Sequence, residues 1–186
     1  MDQRTLVDQA RKGDREAFSV LARAAASRMD AAARLILRDR ELARDAVQEA
    51  LIRAWRDLPG LRDPDRFEAW LHRLIVNAAI DEARRRRRRV IEVEIDATGL
   101  PMHEDPYGLL ADRDALDRAL AGLAPEYRAL VVLHYFLGMP VPEAAASLGI
   151  SLGAAKSRLH RAMGSMRQAF GPDAKESAQP ARGGPA

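Results

Sequence analysis

The sequence predicts an all-α fold made of two small helical domains joined by a flexible linker. Three observations carry this expectation. Alanine, leucine and arginine dominate the 186 residues, and strand-type alternation is nearly absent outside one brief VIEVEI run, Val90–Ile95. Charge is partitioned along the chain. Residues 1–89 hold 21 Lys/Arg against 15 Asp/Glu (+6), residues 90–115 hold 1 against 7 (−6), and residues 116–186 hold 8 against 5 (+3). The acidic middle also contains Gly99, Pro101, Pro106 and Gly108, a composition that suits a tether. The expected divisions are a first domain over 1–89, an acidic linker over 90–114, a second domain over 115–170 and a disordered Pro/Gly/Ala/Ser-rich tail over 171–186.

Taken in order, residues 2–29 read as a first helix or helix pair broken near Gly13-Asp14, with Phe18, Leu21, Ala22 and Ala25 as its apolar stripe. Ala31–Leu37 continues the helical pattern, and Asp39 is placed to cap the next helix. That helix, residues 41–58, puts Val47, Leu51, Ala54 and Leu58 on one stripe, expected to face the core. Its opposite side carries Asp45, Glu49, Ile52, Arg53 and Arg56, with Gln48 beside Ile52. An isoleucine among charges hints at a partner surface, although single exposed apolar residues are common.

Pro59-Gly60 ends that helix, and Leu61–Arg66 is a loop with Asp63-Pro64 turn chemistry. A long helix then runs from Phe67, with Phe67, Leu71, Leu74, Ile75 and Ala78 as the buried stripe. Beside it lies a second row of Trp70, Arg73, Asn77 and Arg84. An indole, an amide and guanidiniums along one helix offer a single-stranded nucleic acid a stacking plane, base-edge hydrogen bonds and phosphate contacts. Equally, Trp70 could edge the core and Arg73 be solvated. Arg84–Arg89, six arginines in succession, reads either as a solvated helix end or as a phosphate-binding patch. VIEVEI is a candidate short strand.

In the second domain Leu116, Ala119, Leu120 and Leu123 form a stripe, and Pro125 opens a helix over 126–137. A short Ala-rich helix, Pro142–Leu148, then meets Gly149, and Ser151 offers a cap to a final helix. On a helical wheel Leu152, Ala155, Leu159, Met163, Met166 and Phe170 gather on one side. Ala154, Ser157, Arg158, Arg161 and Ser165 take the other, flanked by Lys156 and His160. Between Ser151 and Phe170 there are four Lys/Arg residues and no acid. A short helix, a tight turn and a basic helix with small outward residues describe a helix-turn-helix whose second helix suits a major groove. The competing reading is a helical hairpin with a solvated charged face.

The absence of cysteine excludes disulfides and thiolate metal sites, and the four histidines (His72, His103, His134, His160) lack ligand spacing, so no metal or other cofactor is expected. No nucleophile triad, phosphate-cradling loop or paired carboxylates stand out, so neither catalysis nor a small-molecule substrate is expected. No apolar run reaches bilayer length and the N-terminus lacks a signal-peptide core, which suits a cytoplasmic protein without membrane insertion.

Together these segments resemble the extracytoplasmic-function sigma factors of bacterial RNA polymerase, over roughly Leu6–Phe170. DAVQEALIRAW (Asp45–Trp55) is similar to that family's polymerase-binding helix, FEAWLHRLIVNAAIDEARR (Phe67–Arg85) to the helix behind its promoter-melting loop, and GISLGAAKSRLHRAM (Gly149–Met163) to its upstream-element reader. The resemblance implies that Asp45, Gln48, Glu49, Ile52 and Arg53 bind core RNA polymerase. It implies that Arg62, Arg66, Trp70, Arg73, Asn77 and Arg84 hold the minus-ten element, and that Ala154, Lys156, Ser157, Arg158, His160 and Arg161 contact the minus-thirty-five element of promoter DNA. It also implies an anti-sigma factor as partner, and a linker that follows a nucleic-acid path through the polymerase or acts as a simple tether. Two departures stand out: alanine replaces the family's usual threonine at Ala154, and Pro140 and Pro142 replace its Ser/Thr cap. The alternative is a conventional helix-turn-helix regulator that works without core polymerase.

Overall fold

The computed structural model describes residues 2–93 and 111–169. The first unit begins with α1 (Gln3–Arg11), α2 (Arg15–Leu37) and α3 (Arg40–Asp57). Three aspartates start these helices by accepting orphan N–H bonds. Asp2 accepts from Thr5 at 2.8 Å, Asp14 from Glu16 and Ala17 at 2.9 and 3.1 Å, and Asp39 from Glu41 and Leu42 at 3.0 and 3.1 Å. Gly13 takes the positive φ (+95°) that turns α1 into α2, where a side chain would be strained. Two single 3-10 turns, Leu58–Gly60 and Pro64–Arg66, lead into α4 (Phe67–Val93).

Helix α4 buries Phe67, Leu71, Ile75, Val76, Ala78, Ala79 and Ile80 against α2 and α3. Leu74 is only half-buried. The buried seam of α3 differs from the expected stripe. Ala43, Ala46, Ala50 and Ala54 lie at 0–1% exposure, whereas Val47 and Leu51 stay half-buried at its edge. Alanine lets the α3 and α4 backbones approach closely, so the bulkier residues are displaced from the seam. The VIEVEI run is not a strand where it is described, since Val90–Val93 continue α4. The linker's residues 94–110 and the tail from Phe170 lie outside the described residues.

The second unit comprises α5 (Ala111–Ala121), α6 (Pro125–Val131) with a π-helical turn at Val132–Phe136, α7 (Val141–Ser147) and α8 (Leu152–Ala169). Helix α8 packs across α5, α6 and α7 through Ala155, Leu159, Ala162 and Met166. Leu152 and Leu116, expected inside, are exposed, and Met163 is half-buried. Ala119, Leu120 and Leu123 of the expected α5 stripe are buried, and Ala162 joins the buried side of α8. Gly149, at φ +64°, reverses the chain after α7, and the N–H of Ile150 reaches back to Ala145. Helix α7 receives no side-chain cap, in keeping with Pro140 and Pro142 at its start.

Candidate polymerase and nucleic-acid interfaces

The displaced residues of α3 build the first candidate surface. Val47, Leu51, Ile52 and Trp55, with Phe18 of α2, line an open groove of about 530 Å³ edged by Asp30, Arg44 and Gln48. The Phe18 and Trp55 rings stand 5.1 Å apart and fix its floor. Ile52 is 54% exposed at the rim. Asp45 and Gln48 also point outward. Arg53 does not: its guanidinium donates to Glu49 at 2.7 Å and to Asp81 of α4 at 3.3 Å. Those bonds, Glu49 foremost, raise the Arg53 pKa against the opposing effect of burial. Of the five candidate residues, Asp45, Gln48 and Ile52 are free to meet a partner, while Glu49 and Arg53 brace α3 on α4. The groove residues Phe18, Val47, Leu51 and Trp55 escaped the sequence reading because wheel arguments favour the bulkiest stripe as core. The alanines at 43, 46, 50 and 54 were the signal for the alternative.

The second surface follows α4. Trp70, Arg73, Asn77 and Arg84 share one side, with Trp70 half-buried and its ring 5.9 Å from that of Phe67. Arg62 and Arg66 are exposed in and after the loop. The arginine run is largely spent within the protein. Glu82, only 5% exposed, accepts from Arg85 at 2.8 Å and Arg89 at 2.7 Å, and Arg86 donates to the α3 cap Asp39 at 3.1 Å. Among the described residues, Arg87 and Arg88 have no carboxylate partner. Four of the six arginines, Arg84, Arg85, Arg86 and Arg89, thus make ion pairs among the described residues while their side chains stay 41–64% exposed.

The third surface is the exposed side of α8. Ser151 accepts from the Ala154 N–H at 3.2 Å and starts the helix. Lys156, Ser157, His160 and Arg161 are exposed, and Ala154 and Arg158 are half-buried. The Arg158 and Arg161 guanidinium carbons lie 5.9 and 5.8 Å from the Tyr127 ring centroid, a double cation–π stack.

The second and third surfaces meet. Asn77 and Arg84 of α4 share a cleft with Tyr127 of α6 and Arg158 of α8. Four arginines tie the units together. Arg66 pairs with Glu143 at 3.2 Å and Arg84 with Glu126 at 3.6 Å. Arg28 donates to the Phe136 carbonyl at 3.2 Å, and Arg128 to the Ile36 carbonyl at 2.6 Å. Arg128 also donates to Leu123 at 2.9 Å and Leu120 at 3.3 Å. Burial, with Arg38 nearby, pulls the Arg128 pKa down to about 10, so its charge persists at neutral pH. Among the described residues no His/Cys/Asp/Glu group could hold a metal ion, and no helix is long and apolar enough to cross a membrane.

Two helical units, one with an apolar groove beside an aromatic and basic helix and one ending in an acid-free basic helix, have the make-up of a DNA-engaging regulator. Residues 21–89 match the family model described as sigma-70 region 2, and residues 113–166 match that described as sigma-70, region 4. The ECF RNA polymerase sigma factor SigL of Mycobacterium tuberculosis is 38% identical over 132 residues, covering 69% of this chain and 75% of the relative. SigE of Mycolicibacterium smegmatis, also an ECF RNA polymerase sigma factor, is 37% identical over 145 residues, covering 75% of this chain but 56% of that longer relative. The sigma factor RpoE from Bartonella quintana, solved in complex with the anti-sigma factor NepR, aligns with a TM-score of 0.66 and 25% identity over 87% of this chain and 99% of that one. The chain belongs to the sigma-70 family. Within it, it falls among the extracytoplasmic-function sigma factors.

Proposed function

We propose that the chain binds core RNA polymerase through the α3 groove and directs initiation at promoters. The α4 face holds the unpaired minus-ten strand, and the α8 face reads the minus-thirty-five element. The observation that carries this reading is the groove itself. An apolar surface rimmed by exposed Ile52 and edged by Asp30, Arg44 and Gln48 suits a helical partner better than water. On α4, Trp70 offers a stacking plane and Asn77 an amide, which fits capture of unstacked bases. On α8, Arg158 and Arg161 can pair with base edges or phosphates once released from Tyr127. Missing the threonine hydroxyl, Ala154 would alter upstream preference without removing the docking mode. By likeness to the RpoE–NepR pair, an anti-sigma protein is a further partner of the chain.

Run-off transcription with purified core polymerase tests the reading. Holoenzyme formed with this chain should start transcripts at sites that core polymerase alone ignores. A chain that binds duplex operator alone and gives no new start site would instead be a conventional regulator.

A further inference from the structure

Two arginines at the turn from α2 to α3 stand where the backbone disfavours them. Arg38 closes α2 at φ +53°, the one positive φ outside glycine among the described residues. There an L side chain crowds its own backbone, and glycine or asparagine is the usual occupant. Arg40 is the first residue of α3, at the positive end of that helix's dipole, where a carboxylate rather than a cation is favoured. Both side chains are exposed. The flanking carboxylates are already engaged: Asp39 accepts from Arg86 at 3.1 Å, and Glu41 from Arg44 at 3.0 Å. Arg34, in the last turn of α2, already supplies the cation that the α2 dipole favours. Local stability therefore explains neither residue, and two unpaired guanidiniums held at such positions point to a ligand outside the chain.

Helix α4 places that ligand. The Arg86–Asp39 pair sets the arginine end of α4 against this turn. Arg87 and Arg88, exposed and without a carboxylate partner among the described residues, continue at helical spacing the row of Trp70, Arg73, Asn77 and Arg84. From Asn77 to Arg88 the helix rises about 16 Å, the length of roughly five base-pair steps of duplex. Four guanidiniums and no ammonium suit phosphate oxygens, which take paired N–H bonds from the guanidinium fork. We propose that Arg38 and Arg40, with Arg87 and Arg88, form a binding patch for the phosphates of the duplex just upstream of the unpaired minus-ten strand. This rests on the proposed service of the α4 face to that strand. The turn gives up stability for a hold on DNA.

Stability and DNA binding should then move in opposite directions. Arg38→Gly should favour the folded state by about two- to fivefold, seen as a higher urea midpoint, since glycine takes the left-handed conformation freely. Arg40→Gln should shift the same equilibrium by about twofold in the same direction. The double variant should assemble with core polymerase as the parent does. Its holoenzyme should bind a fork template, duplex upstream of an unpaired minus-ten strand, with a log–log salt slope less steep by about 1.8, or about 0.9 for each arginine removed. A template cut back to the unpaired strand should be bound as tightly as by the parent holoenzyme. Arg38→Asn, which also tolerates the left-handed conformation, should repeat the single-site result. An unchanged salt slope, equal loss on the cut-back template, or weaker assembly with polymerase (an acidic polymerase segment as the partner) overturns the proposal. So does a lower urea midpoint for Arg38→Gly and Arg38→Asn alike. Failure of the functional reading shows separately, as a parent holoenzyme that starts no transcript.

Discussion

Ile52 offers a quantitative test of the α3 groove. It is 54% exposed, so roughly half of its surface remains for a partner to cover. Fully burying an isoleucine contributes about 1.5–3 kcal/mol, so covering the remaining half contributes roughly 1 kcal/mol. Ile52→Ala should therefore weaken core-polymerase binding about five- to tenfold. Ile52→Glu should do far more, on the order of a hundredfold, because a carboxylate without a partner must be desolvated against Val47, Leu51 and Trp55. Neither change removes a contact made in the core, so unfolding free energy should stay within about 0.5 kcal/mol of the parent. The assay is fluorescence anisotropy of labelled chain titrated with core enzyme, with urea unfolding as the control. Unchanged affinity of Ile52→Glu would show that the partner does not cover the rim of this groove.

Other consequences are equally direct. Replacing Arg158 or Arg161 with alanine should cost about 1–3 kcal/mol of upstream-element discrimination, read by competition between promoter variants; equal loss on all sequences would mark them as phosphate contacts only. Ala50→Leu should destabilise the first unit by about 1–3 kcal/mol, seen as a lower urea midpoint, because the α3 seam has no room for the added carbons. Burial, and then nearby Arg28, lowers the pKa of His72 below its ordinary 6.5, with Glu68 opposing. In the window below 6.5 the unfolded chain then holds more protons than the folded one, so stability rises with pH and is lost on acidification. Urea midpoints measured downward from pH 6.5 should fall, and His72→Gln should flatten the slope.

What the sequence revealed was mostly local chemistry. The Asp39 cap, the break at Gly13, the stop at Pro59-Gly60 and the Gly149–Ser151 turn are each dictated by neighbouring residues, and each stands where expected. The α4 row of Trp70, Arg73, Asn77 and Arg84 was legible for the same reason, since helical spacing alone aligns it. The α3 seam was not. Whether alanine or valine faces a neighbouring helix depends on how closely that neighbour comes, which only packing decides. The VIEVEI run has β-branched composition, but its first four residues continue a helix already nucleated over many turns. The ion pairs of the arginine run were hidden for a like reason: the ties of Arg86 to Asp39 and of Arg84 to Glu126 join residues distant in sequence. Such long-range pairs also hide the contact between the two units, because nothing in a linear pattern reports that one unit's glutamates meet the other's arginines.

The central claim is that the chain reads a promoter only when docked on polymerase. Permanganate footprinting of unpaired thymines measures this most directly. On a promoter mapped by run-off, reactivity at the minus-ten element should appear with core polymerase and chain together, and with neither alone. Reactivity produced by the chain without core enzyme, or none with the holoenzyme, would contradict the account.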